Sequence, residues 1–144
     1  MKINIKKLNP NAIIPTQGSE YSAGCDLYAC IDKPIKIWGG KVEKIPTGLA
    51  IQPPQECFGA VFARSGLATK EGLRPANCVG VCDEDYRGEY TVALYNDSDL
   101  PKTINPGDRI AQLVFIPYIK PEFEVVEELD ATKRGEDGFG STGK

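Results

Sequence analysis

Residues 90–116 read YTVALYNDSDLPKTINPGDRIAQLVFI, and this stretch decides the fold. Tyr90, Val92 and Leu94 alternate with Thr91, Ala93 and Tyr95, the period of a strand with one buried face. Asn96-Asp97-Ser98-Asp99 follows as a run of turn formers, and Asn105-Pro106-Gly107-Asp108 makes a second turn. Ile110 to Ile116 is apolar except for Gln112, as expected of a strand buried on both faces. Outward from this core the pattern repeats. Lys2 to Leu8 alternates, and Val61 to Arg64 is a further short strand. Turns are expected at Trp38-Gly39-Gly40, Gln52-Pro53-Pro54 and Tyr86-Arg87-Gly88. Fifteen glycines and 11 prolines are spread along the chain, which leaves little room for long helices. One short helix is predicted over Gly66–Glu71, ended by Gly72, with Ser65 as its N-cap. Many short strands in 144 residues without repeats predict a single all-β domain, a sandwich or barrel.

The composition excludes whole classes of chemistry. There is no histidine, so no Ser-His-Asp site, no HExxH zinc site and no imidazole base. A catalytic base near neutral pH is then expected to be a carboxylate. A net charge of −3 argues against general nucleic-acid binding, which draws on a basic excess. No run reaches about 18 apolar residues, so no membrane span is expected. Met1 to Pro10 lacks the apolar stretch of a signal peptide, which points to a cytoplasmic protein. The five cysteines (Cys25, Cys30, Cys57, Cys78, Cys82) are odd in number and read as reduced thiols packing as small hydrophobes. The alternative is a zinc site of Cys25, Cys30, Cys78 and Cys82, at spacings near the loose end of zinc patterns.

Several segments carry possible chemistry. The end of the chain, from Lys133, contains Gly138-Phe139-Gly140-Ser141-Thr142-Gly143. This fits G-x-G-x-x-G, but no helix can follow, so a dinucleotide fold is excluded. Freed backbone N–H groups, two hydroxyls and Arg134 could still hold phosphate, with Phe139 stacked on a base; composition alone favours the alternative, a frayed end. Arg64-Ser65-Gly66 stands where a strand meets the short helix, either an anion site or a helix cap. Asp83-Glu84-Asp85 precedes Tyr86 and Gly88. On a strand Asp83 and Asp85 would share one face, able to orient a water; a hairpin tip would look similar. Asp26 sits in an apolar run, where turn capping or a partner must satisfy it.

Five segments in order resemble the motifs of the trimeric dUTPase family. They are Ala23-Gly24-Cys25-Asp26-Leu27, Arg64-Ser65-Gly66-Leu67-Ala68, Asn77 through Gly88, Gly107-Asp108-Arg109-Ile110-Ala111-Gln112-Leu113, and Arg134 through Gly143. Each alone is weak or moderate, but the ordered set spans residues 23–143. The resemblance implies an all-β, jelly-roll-like β-barrel of the β-clip kind over residues 1–132, with a flexible Gly-rich lid at 133–144. It implies a homotrimer with active sites shared between chains. It implies Mg2+-assisted hydrolysis of dUTP to dUMP and pyrophosphate, which keeps uracil out of DNA and supplies dUMP for thymidylate synthesis.

Roles carry over residue by residue. Asp83 matches the general base that activates water against the α-phosphorus. Asp26 matches a carboxylate that reaches the metal through water. Asn77 and the backbone around Gly80 match the uracil contacts, and Tyr86 the ring under the deoxyribose. Arg64, Ser65, Gly66 and Gln112 match phosphate contacts. Arg134, Gly140, Ser141 and Thr142 match groups of the closing lid, with Phe139 over the base. Asp85 is given only a supporting structural role. The chain departs from the family at Asp137, where Gly is commoner, so Asp137 must point outward or pair with Lys133 or Arg134. It departs also at Cys82, where Ile or Val is usual; Cys25 stands at a variable position. The alternatives are a dCTP deaminase of the same fold and a nucleotide-binding trimer without activity.

Overall fold

The structure is a computed structural model that describes residues 1–138. Twelve short strands and one helix account for its regular elements. In chain order they are β1 Ile5–Lys7, β2 Thr16–Gln17, β3 Cys25–Tyr28, β4 Ile35–Ile37, β5 Val42–Pro46, β6 Leu49–Ile51 and β7 Cys57–Phe62. There follow α1 Ser65–Glu71, β8 Leu73–Pro75, β9 Gly80–Cys82, β10 Thr91–Asn96, β11 Lys102–Ile104 and β12 Arg109–Pro117. The fold is all-β, as its turn-rich sequence requires.

The largest sheet has the order β2-β3-β12-β7-β9, entirely antiparallel. A second sheet runs β5-β10-β8, and the pairs β1-β6 and β4-β11 complete the set. Neighbours in the sheets are mostly distant in sequence, so the fold is held by long-range pairing. The core gathers one or two side chains from nearly every strand: Leu27, Ile37, Ile45, Leu49, Val61, Leu73, Val92, Leu94, Ile104, Ile110 and Leu113 are all buried. The alternation expected for residues 90–95 holds, with Tyr90, Val92 and Leu94 inside and Thr91 outside.

Three expectations are corrected. The strand expected at Val61–Arg64 starts earlier, at Cys57, and ends at Phe62. Its first residues, Cys57 to Ala60, pair with Pro117 to Val114 of β12, a partnership that local sequence does not show. The helix begins at Ser65 with Arg64 in the N-cap position and no side-chain cap, so Ser65 is not the cap. Its end is as expected: Gly72 stands at φ 68°, the left-handed conformation that suits glycine, and its N–H bonds back to the last turn. The third correction concerns Asp83–Asp85. β9 stops at Cys82, and the Tyr86 N–H donates to the Asp83 carbonyl at 3.1 Å. The three acids lie in a turn, and strand alternation does not govern them.

Candidate active site

Apart from Arg134, the sequence-selected residues of the described chain fall into two clefts. One, of about 550 Å³, is lined by Asn77, Gly80, Cys82, Asp83, Tyr86 and Tyr90 among others. The other, of about 420 Å³, is lined by Gly24, Asp26, Arg64, Ser65, Gly66, Arg109 and Gln112. They share no lining residue.

The first cleft is built around the edge strand β9. Cys78 takes φ 62° and the Val79 N–H folds back onto the Asn77 carbonyl at 2.6 Å, which turns the chain tightly ahead of Gly80. Gly80 pairs with Val61, and a Cβ there would stand 3.1 Å from the Val61 Cβ. This segment forms one wall of the cleft, a slot with the exposed Asn77 beside it. After β9, Arg87 Nη1 staples the turn by donating to the carbonyls of Glu84 (2.7 Å) and Tyr86 (2.9 Å). Tyr86 donates its hydroxyl to the Glu89 carbonyl at 3.0 Å and leans on Tyr90, ring centroids 6.1 Å apart. Its ring lies across Gly88, where a Cβ would come within 2.6 Å of Cζ. One face of Tyr86 is thus clamped while the residue stays 43% exposed.

The acids of the turn separate by partner. Glu84 accepts from the Tyr118 hydroxyl at 2.8 Å and pairs with Lys120 at 3.3 Å, contacts that hold its carboxyl below the usual range. Asp83 is exposed and is the one residue of the three that lines the slot with Asn77 and Tyr86. Asp85 lies outside that cleft. Beneath the slot the Tyr90 hydroxyl is buried without an N or O partner among the described residues, beside the Cys82 thiol. Burial pushes both groups up in pKa, so both are neutral near pH 7.

The second cleft follows from the register of the large sheet. Gln112 of β12 stands opposite Asp26 of β3 and Phe62 of β7, so Asp26 and Gln112 share a face. Gly24 permits this, since a Cβ there would overlap the Gln112 amide group. Gln112 Nε2 donates to the Ala63 carbonyl at 2.8 Å, tying β12 to the segment that carries Arg64. Asp26 is a mid-strand residue and caps no turn. Its partners are two arginines: Arg64 Nε donates to Oδ1 at 2.7 Å and Arg109 Nη1 to Oδ2 at 3.2 Å. The Ser65 hydroxyl makes no hydrogen bond among the described residues, and a Cβ at Gly66 would meet nothing within 4 Å. Packing among the described residues therefore does not require a glycine at 66; close approach of a ligand would.

Arg109 escaped the sequence reading. Strand alternation puts residues 109 and 111 on one face and 112 on the other. The β3–β12 register, however, slips between Arg109 and Ala111. This bulge turns Arg109 to the same side as Gln112, a common use of bulges beside functional sites. The Gly107-Asp108-Arg109 segment was the available signal; the bulge was not.

Arg134 lies in the exposed segment after β12, its Nε donating to the Asp137 carbonyl at 2.8 Å. The Asp137 carboxylate makes no ion pair among the described residues and is exposed. Phe139, Gly140, Ser141 and Thr142 lie outside the described residues. Among the described residues no three His, Cys, Asp or Glu side chains converge to hold a metal, so the four-cysteine zinc site is not formed. All five cysteines are free. No described helix is long and apolar enough to cross a membrane.

Comparison with known proteins gives a consistent result. Residues 10–143 match the dUTPase family. A deoxyuridine 5'-triphosphate nucleotidohydrolase of Desulfitobacterium hafniense is 52% identical over 131 residues, 90% of this chain and 87% of that protein. One from Glaesserella parasuis is 43% identical across 100% of this chain and 96% of its own length. In structure, the dUTPase of Staphylococcus bacteriophage 80alpha with dUPNHPP superposes with a TM-score of 0.91 at 27% identity, covering 99% of each chain. A mutant dUTPase from phage phi11 of S. aureus, described with a structural Mg(II) ion, gives 0.79 at 25% identity, covering 89% of this chain and 98% of that one.

Proposed function

This chain belongs to the dUTPase family, and from that premise we propose that it hydrolyses dUTP to dUMP and pyrophosphate, as a dUTP diphosphatase of the all-β, jelly-roll type. The observation that carries the reading is the slot around Asp83: one exposed carboxylate in the company of Asn77, Gly80 and a clamped tyrosine. Asn77 and the backbone at Gly80 hydrogen-bond the uracil edge, in a slot too narrow for the methyl of thymine. The free face of Tyr86 supports the deoxyribose and collides with a 2′-hydroxyl. Asp83 takes the proton of a water placed in line with the leaving pyrophosphate, and general-base help of this kind contributes roughly 10²–10⁴-fold.

Arg64, Ser65, Gly66 and Gln112 hold the phosphate chain in the second cleft. The donor set suits Mg2+ carried on the substrate. Such an ion keeps several waters and needs few protein oxygens, and Asp26 has lone pairs left after its two arginine contacts. Mg2+, when bound, screens charge on the triphosphate and on the leaving pyrophosphate. Residues 1–132 form the barrel domain. Residues 133–144 serve as a lid that brings Arg134, Phe139, Gly140, Ser141 and Thr142 onto the substrate and excludes water. A cytoplasmic setting accords with a free nucleotide as substrate.

The division of the site between two clefts supports a homotrimer in which one chain offers the slot and a neighbour the phosphate cleft. The test is pyrophosphate release with Mg2+ from dUTP, dTTP, dCTP and UTP. Wild type should act on dUTP alone, and D83N should lose at least about a hundredfold in kcat. Turnover unchanged in D83N would overturn the assignment of the base. Ammonia release from dCTP would favour the deaminase reading instead.

A further inference from the structure

Resting on this reading of the second cleft as the phosphate site, we propose that Arg109 supplies the net positive charge that lets a cleft containing a carboxylate bind a polyphosphate. Asp26 is largely buried and bonded through both oxygens, by Arg64 Nε at 2.7 Å and Arg109 Nη1 at 3.2 Å. The Arg64–Asp26 pair taken alone is neutral. It would offer a tri- or tetra-anion little attraction, and the carboxylate would repel it. Arg109 turns the cluster from a neutral pair into a triad of charge +1.

Its placement fits this role. The Arg109 side chain is 52% exposed, twice as much as that of Arg64, and makes one ion pair among the described residues. A guanidinium has five N–H donors, and one contact to Asp26 leaves most of them for phosphate oxygens. Arg109 also lines the neighbouring cleft with Arg64 and the Lys102–Glu71 pair, so it stands where two clefts meet. The bulge before Ala111 brings it there. Asp26 in turn fixes the direction of the guanidinium, so the cation is positioned before substrate arrives.

The test measures KM and kcat for dUTP in the full chain, at low and high salt, for wild type, R109Q and R109K. R109Q should raise KM roughly tenfold, the loss of one charge-assisted contact. Its kcat should stay within about threefold of wild type, since the charge acts mainly on binding. The KM ratio should shrink as salt rises, because screening weakens exposed charges. R109K, which keeps the charge, should recover most of the loss. Inhibition by deoxyuridine, which has no phosphate, should be the same in all three proteins. An unchanged KM in R109Q, or an equal loss of deoxyuridine affinity, would overturn the proposal. If R109Q does not fold, R109M takes its place: a KM about tenfold above that of R109K supports the role of charge, and equal KM values in the two variants refute it. Wild type that releases no pyrophosphate from dUTP would sink the substrate reading itself, an outcome distinct from an unaffected R109Q.

Discussion

Gly88 shows how a single missing side chain can set a binding surface. A Cβ at 88 would approach Tyr86 Cζ to 2.6 Å and Cε2 to 2.9 Å, closer than a ring can tolerate. The phenol itself cannot compress, so G88A must swing the ring away from Tyr90 and from the Glu89 carbonyl. The fold has little at stake, since Tyr86 is an exposed residue and the bond lost is worth about 1 kcal/mol. Substrate recognition has more. G88A should leave the melting temperature within a few degrees, raise KM for dUTP about tenfold and weaken discrimination against UTP. Melting curves and parallel kinetics with the two nucleotides measure this. A preserved dUTP/UTP ratio would show that Tyr86 does not read the sugar.

At the scale of elements, β10 shows both what the sequence revealed and what it concealed. The alternation of Tyr90, Val92 and Leu94 continues to Asn96, which is fully buried at the end of the strand. There its amide nitrogen donates to the carbonyls of Ile37 (2.9 Å) and Leu100 (2.8 Å). Its oxygen accepts from the Ser98 N–H (3.0 Å) and hydroxyl (2.7 Å). Every capacity of the amide is used, so Asn96 joins β10, β4 and the following turn. N96A strands these groups and opens a cavity, and should lower unfolding free energy by about 2–4 kcal/mol in urea titrations. A loss below about 1 kcal/mol would mean that water replaces the amide without penalty. In the sequence Asn96 reads as the first residue of a turn, and periodicity alone carries the hint that it points inward. β10 was legible because it is long enough to show a period, and β12 because its apolar run is nearly unbroken. Strands of two to five residues, such as β2, β4, β8 and β9, are not, and their pairing is set by distant partners. The same limit hid the bulge that aims Arg109. It also left Asp83–Asp85 open between a strand and a hairpin tip, where an i to i+3 turn prevails. The residues of both clefts were legible as types and order; their division between two clefts was not.

For the whole molecule, that division and the segment after β12 point the same way. Ile119, Phe123, Val125 and Leu129 are each at least 87% exposed, a concentration of apolar side chains that a chain working alone would not be expected to leave in water. In the large sheet Asp26 on β3 and Gly80 on β9 are separated by three strand spacings, roughly 14 Å, with the slot and the phosphate cleft at either side. If each working site takes its slot from one copy and its phosphate cleft from another, two inactive variants should complement. D83N damages only the slot; a double variant S65A/Q112A damages only the phosphate cleft. Unfolded together in equal amounts and refolded, they would form mixed closed rings in which about one site in four joins two intact halves. Activity should therefore return from near zero to about a quarter of wild type, and it should not return when separately refolded proteins are mixed and assayed at once. Recovery to this level would establish shared sites by kinetics alone. Failure to recover, with a trimeric mass confirmed by light scattering, would mean that each chain holds a complete site.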